Sequence, residues 1–88
     1  MKYQIIFSKG FKKSFQKLES SERKLFYAKL NLFVDNHQHP SLRTKKIQGS
    51  DILFESSLNM SIRVIWTYKD DHLILMLDIG HHDILERI

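Results

Sequence analysis

The chain has 88 residues, no cysteine, 42% hydrophobic and 27% charged residues, and a net charge of +4. This is the size and composition of one small globular domain, residues 1–88, and it excludes disulfides, thiolate metal sites and cysteine nucleophiles. No apolar run reaches the length of a membrane span and the N-terminus lacks the apolar core of an export signal, so the expected setting is cytoplasmic, with no membrane partner.

The charge is unevenly spread. Residues 1–46 carry 11 Lys and Arg against 3 Asp and Glu, net +8, and residues 47–88 carry 3 against 7, net −4. A basic first half suits a polyanionic partner such as nucleic acid, or an acidic protein, although lysines on a solvated helix surface would look the same.

In chain order, Lys2 to Phe7 reads as a short strand with Tyr3, Ile5 and Phe7 on one side. Ser8 is placed to cap a helix over Lys9 to Leu18, in which Phe11, Phe15 and Leu18 make one apolar stripe. A break at Glu19-Ser20-Ser21, with either serine as cap, leads to a second helix over Glu22 to Asn36. Its many apolar residues predict a wide buried face, and the short link predicts an antiparallel pair of helices. The segment after Pro40, SLRTKKIQGSD, is polar, basic and turn-rich.

Ile52 to Leu58 is the next strand, joined by a three-residue loop, Asn59 to Ser61, to a strand in which Ile62, Val64, Trp66 and Tyr68 alternate with Arg63, Ile65 and Thr67. The longer loop sets Glu55 and Ser57 beside Arg63, whereas a two-residue loop would bury Glu55 in the core. Leu73 to Ile79 is apolar almost throughout, as in an interior strand. A turn at Asp70-Asp71 pairs Tyr68 with Leu73, Val64 with Leu77 and Arg63 with Asp78, which puts Leu73, Leu75, Leu77 and Ile79 on the greasy face and Ile74 and Met76 on the other.

The polar face then gathers Arg63, Asp78, Glu55 and Ser57, with His81 and His82 at the strand end and Lys45 and Lys46 nearby. RNA cleavage needs a base for a 2′-hydroxyl, cations for charge growing on the phosphate and an acid for the leaving oxygen. Histidine suits either proton role and arginine suits the phosphate. An Arg63–Asp78 pair is equally what a structural cross-strand salt bridge looks like. His37 and His39, with His81, His82 and Asp83, raise a metal site, but neither spacing is the helical i, i+4 pair, and His37 and His39 read as loop residues next to Pro40.

Read together, Ile6-Phe7-Ser8 with Phe11-Lys12-Lys13, the Pro40–Gly49 segment, Ile62-Arg63-Val64-Ile65-Trp66 and Ile79-Gly80-His81-His82 resemble the RelE/ParE superfamily of toxins, over nearly the whole chain. The resemblance implies an α+β fold: an N-terminal strand and a two-helix hairpin packed on one face of a mostly antiparallel four-stranded sheet. Its RelE- and YafQ-like branch implies a toxin of a type II toxin–antitoxin system, a ribosome-dependent mRNA endonuclease that blocks translation without a metal or other cofactor. The implied partners are a cognate antitoxin, the ribosome and mRNA. Arg63 falls on the family's phosphate-stabilising arginine and His82 on its catalytic histidine or arginine, with His81 and Glu55 as secondary proton carriers. Lys45, Lys46, Lys12 and Lys13 would hold the RNA backbone. Two departures stand out: Glu55 and Ser57 occupy positions that are basic in some members, and Glu86 stands where an aromatic often stacks a base. The alternatives are a ParE-like inhibitor that binds DNA gyrase without catalysis, or a catalytically weak member that binds its antitoxin.

Overall fold

The computed structural model describes residues 3–87, and the side chains of residues 3–84. Strand β1 (Gln4–Phe7) leads into helix α1 (Lys9–Gln16) and helix α2 (Ser20–Asp35). A short 3-10 turn (Pro40–Leu42) precedes β2 (Lys45–Lys46), β3 (Phe54–Ser57), β4 (Ile62–Asp70) and β5 (Leu73–His81), and a second 3-10 turn covers His82–Arg87. The strands form one sheet in the order β1-β5-β4-β3-β2, in which only the β1–β5 pair is parallel. The class is the expected α+β, with five strands among the described residues in place of four. The extra strand is the Lys45–Lys46 pair, too short to show an alternating pattern, and its lysines blunt a sheet edge that would otherwise invite pairing.

Ser8 caps α1 as its position suggests: its hydroxyl accepts from Phe11 N at 3.0 Å and donates to Leu77 O at 3.0 Å. Helix α2 starts earlier than expected, because Glu19 rather than a serine is its N-cap, with Glu22 Oε1 accepting from Glu19 N at 2.9 Å. Only Phe26 and Phe33 of α2 are fully buried, and Tyr27 is 59% exposed. The wide buried face is therefore narrower than expected. Phe26, Leu30 and Phe33 follow i, i+4, i+7, while Leu25 and Leu32 fall about 100° off that stripe and stay half-buried.

The core lies between these helices and one face of the sheet, around Trp66, Ile62, Val64, Phe11, Phe26 and Ile79. Ile5 and Phe7 of β1 register with Ile74 and Met76, so the predicted face of β1 does point into it. The three-residue loop also holds: Leu58 N donates to Ile62 O at 3.0 Å, Phe54 pairs with Trp66 and Ser57 with Arg63.

The β4–β5 register differs from the expectation. Asp70, not Tyr68, faces Leu73; Val64 faces Ile79; Arg63 faces Gly80, and Asp78 lies opposite Ile65. The turn is tighter than foreseen, closed by Asp70 Oδ1 accepting from His72 N at 2.7 Å. Two irregularities, between Tyr68 and Asp70 and between Ile65 and Trp66, insert Lys69 into one arm and Leu77 into the other. As a result Ile74 and Met76 face the core, at 0% and 1% exposure, and Leu73, Leu75 and Leu77 are only half-buried. The bulge at Leu77 restores the phase, so Ile79 faces inward, and the carbonyl it displaces is the one that Ser8 satisfies.

Candidate functional site

The sheet face turned away from the helices carries a row of polar side chains. Register fixes them there: Lys45 faces Glu55, Glu55 faces Ile65, Ile65 faces Asp78, and one step along Ser57 faces Arg63 and Arg63 faces Gly80. Partners across a ladder share a face, and residues two apart on one strand do as well. The cross-strand bridge between Arg63 and Asp78 is replaced by a different pairing. Arg63 Nε and Lys45 Nζ each lie 3.8 Å from the same oxygen, Glu55 Oε1. Arg63 Nη1 donates to Asn59 O at 2.8 Å, which anchors the guanidinium at the hairpin loop. Gly80 opposite Arg63 has no side chain to cover it.

Glu55 is only 4% exposed although it lies off the core face. A carboxylate so enclosed is tolerable with cations beside it, and here it has two. Lys45, Lys46, Ile47, Gln48 and Glu55 line an open hollow of about 480 Å³.

His82 is exposed, one residue past the end of β5, and makes no hydrogen bond or ion pair among the described residues. Its neighbour is committed elsewhere. His81 registers with Ile62, on the helix side, and its Nε2 lies 2.8 Å from Glu22 Oε2. The Glu22 carboxyl is held below its ordinary pKa, first by its backbone hydrogen bond with Glu19 and next by His81. The structure thus groups Arg63, Glu55 and Lys45 on one face and sets Lys46, whose ladder partner is Phe54, at the rim of the same hollow. It leaves His82 without a partner among the described residues at the strand end, and turns His81 away from Arg63.

Lys12 and Lys13 do not join this group. Helix α1 packs on the opposite face, where Lys12 lines a separate hollow of about 260 Å³ with Phe7, Phe11, Phe15, Gln16, Phe26 and Tyr27. Lys9, Lys12, Lys13 and Lys17 are exposed and have no ion pair among the described residues. The spacing of lysines on a helix does not reveal which side of a sheet the helix will cover. The side chain of Glu86 lies outside those described.

The loop between α2 and β2 holds two residues that the sequence reading undervalued. His37 is buried among Tyr3, Phe33, Trp66 and Tyr68, with Nε2 2.6 Å from Tyr68 Oη. Gln38 Nε2 donates to the same phenol oxygen at 3.2 Å. His39 Nδ1 accepts from Ser41 N at 3.1 Å, so this histidine shapes the 3-10 turn. A relay then runs from Trp66 Nε1 to Ser56 Oγ at 2.9 Å, Ser56 to Thr44 at 2.7 Å, and Thr44 Oγ1 to His37 O at 3.1 Å. It pins residues 37–44 to the sheet and sets Arg43, in a left-handed conformation at φ 48°, beside the β3–β4 loop.

Burial holds the His37 imidazole below its ordinary pKa of 6.5. The unfolded chain therefore takes up this proton more readily than the folded one, and stability is intact above about pH 6.5 and falls as the pH drops below it. Urea midpoints measured from pH 7.5 to 5 should decline in the wild type, with a shallower decline in His37→Phe. An unchanged slope in the variant would assign the decline to other groups. Glu22 acts in a lower window, because its depressed pKa makes its contribution fade below the ordinary carboxyl value of 4.5.

No protein-family model and no curated protein sequence matches the chain. Solved structures do. The chain is similar to a chain of the archaeal RelE–RelB complex from Pyrococcus horikoshii, at 20% identity and a TM-score of 0.72 over 92% of this chain and 96% of that one. It is similar to a chain of the E. coli DinJ–YafQ toxin–antitoxin complex, at 16% identity and a TM-score of 0.76 over 97% and 98%. A mutant of E. coli toxin RelE in the free state matches at 20% identity and a TM-score of 0.74 over 98% and 90%. The fold is that of RelE-like toxins.

Proposed function

We propose, from the fold shared with RelE and YafQ toxins and from the row it exposes, that this chain is the toxin of a type II toxin–antitoxin pair and acts as a ribosome-dependent mRNA endonuclease. The observation that carries the reading is Arg63: a guanidinium 3.8 Å from a buried carboxylate, partly exposed on the sheet face opposite the helices.

Glu55 takes the proton from a ribose 2′-hydroxyl, and the 2′-oxygen attacks the adjacent phosphorus. Arg63 donates to the non-bridging oxygens as negative charge grows on them, the role in which a fixed cation lowers a barrier most. The bond to the 5′-oxygen breaks, and His82 gives that oxygen a proton. The products are a 2′,3′-cyclic phosphate and a 5′-hydroxyl, so every proton and bond is accounted for by side chains of this protein. Lys45 and Lys46 hold the flanking backbone, and His81 supports α2 through Glu22.

The partner reading is a cognate antitoxin, supported by neighbours solved in complex with RelB or DinJ. The α1 lysines, without an ion pair among the described residues, lie beside the aromatic hollow and suit an acidic partner, and they leave the opposite face to the message.

A purified translation system with a defined message tests the reading. Adding the protein should cut message only when ribosomes are present. Intact message together with inhibited supercoiling by DNA gyrase would transfer the assignment to the ParE-like alternative.

A further inference from the structure

Beyond the Glu55 hollow, Ser41, Arg43, Ser57, Asn59 and Met60 line a second hollow of about 180 Å³. It adjoins the same arginine: Arg63 faces Glu55 with Nε and binds the Asn59 carbonyl with Nη1, so one guanidinium touches a wall of each hollow. Ser57 follows Glu55 by two residues on β3, about 7 Å along the strand and on the same face.

The lining is rich in unused hydrogen-bond donors. Ser57 is only 9% exposed, yet its hydroxyl has no hydrogen-bond partner among the described residues. Asn59 spends its side-chain oxygen on Ser61 N and Ile62 N, at 2.8 and 2.7 Å, and its amide hydrogens remain unpaired among those residues. The Arg43 guanidinium has no ion pair there either. None of the lining residues is a carboxylate. These donors open onto the hollow, and a guanidinium, a hydroxyl and an amide gathered with no carboxylate among them suit an anionic acceptor.

Arg43 is also held in a conformation that side chains other than Gly and Asn rarely adopt, at φ 48° and ψ 44°. Its N donates to Pro40 O at 3.1 Å and closes the 3-10 turn, and the left-handed step sends the chain on into β2. Glycine would make this turn without strain, yet an arginine stands there.

We propose that this hollow is a second phosphate subsite, which holds the phosphodiester next to the one that is cleaved. Arg43, Ser57 and the Asn59 amide take its oxygens, and Met60, 88% exposed at the loop tip, offers an apolar wall to the attached nucleoside. The inference rests on the RNA-cleaving reading and adds to it the placement of a second nucleotide.

The test uses short oligoribonucleotides carrying a 2′-deoxy sugar at the attack position, so that they bind without being cut. A dinucleotide with one phosphate is compared by NMR titration with trinucleotides extended at the 5′ or the 3′ end. In the wild type one of the extensions should tighten binding about tenfold, the scale of one charge-assisted contact. Arg43→Gly should lose that gain, bind the dinucleotide as before, and melt no lower than the wild type, because glycine relieves the turn. Arg63→Ala should weaken all the ligands equally. A full gain retained in Arg43→Gly overturns the subsite and leaves the cleavage reading standing. A wild type in which neither extension tightens binding also overturns the subsite, whereas the ribosome-dependent cleavage reading stands or falls on the message-cutting assay.

Discussion

Arg63→Ala should lower the rate of message cleavage on ribosomes by about a hundredfold or more, the usual cost of removing one preorganised donor to a developing anion. The argument is geometric. The guanidinium is tied to Asn59 O at 2.8 Å and faces Gly80, so it is oriented before substrate arrives. Removal has a second consequence: Glu55 keeps only Lys45 as a charged neighbour, and an enclosed carboxylate that loses a cation costs stability. Arg63→Ala alone therefore mixes chemistry with folding. Arg63→Ala combined with Glu55→Gln removes the stranded charge and should regain melting temperature, which measures the folding share of the loss; its cleavage stays absent because the general base is gone as well. Arg63→Lys should fall between wild type and alanine, because an ammonium keeps the charge and loses the fork geometry. Primer extension on ribosome-bound message gives the rates, and thermal unfolding gives the control. Cleavage by Arg63→Ala within threefold of the wild type would remove this residue from the mechanism.

Trp66→Ala should cost about 4–6 kcal/mol, half or more of the stability of a domain this small. Trp66 has 0% exposure, stacks on Phe54 at 4.7 Å between ring centroids and meets Phe33 edge-on at 5.3 Å. Truncating a buried aromatic to alanine costs about 3–5 kcal/mol, and losing the hydrogen bond to Ser56 adds about 1 kcal/mol. A domain of this size is stable by roughly 5–10 kcal/mol in total, so the loss is a large part of the whole. Trp66→Phe should cost about 1–2 kcal/mol, since it fills most of the volume and leaves Ser56 its bond to Thr44. Urea denaturation distinguishes the two. An alanine variant within about 1 kcal/mol of wild type would mean that the core is not centred on this ring.

The alternation from Ile62 to Tyr68 and the Asn59–Ser61 loop carried enough phase to place Glu55, Ser57 and Arg63 on one face before any coordinates. The apolar run from Leu73 to Ile79 carried none. A segment apolar at nearly every position accepts either register, and the tight turn at Asp70, the irregularity at Lys69 and the bulge at Leu77, anchored by Ser8 from a distant part of the chain, decide it. His37 was hidden for a related reason: Tyr3, Phe33, Trp66 and Tyr68 come together around it only in three dimensions. The same holds for the α1 lysines, whose helical spacing is blind to the side of the sheet they cover. Arg43 was obscure because a left-handed turn is normally signalled by Gly or Asn.

The chemistry of the cut ends tests the central claim most directly. Messages recovered from ribosomes treated with the wild type should end in 2′,3′-cyclic phosphates facing 5′-hydroxyls, and both ends should vanish with Arg63→Ala and with His82→Ala. Cuts that leave 3′-hydroxyls and 5′-phosphates, or that persist at the wild-type rate in both variants, would contradict a reaction run by Arg63, Glu55 and His82.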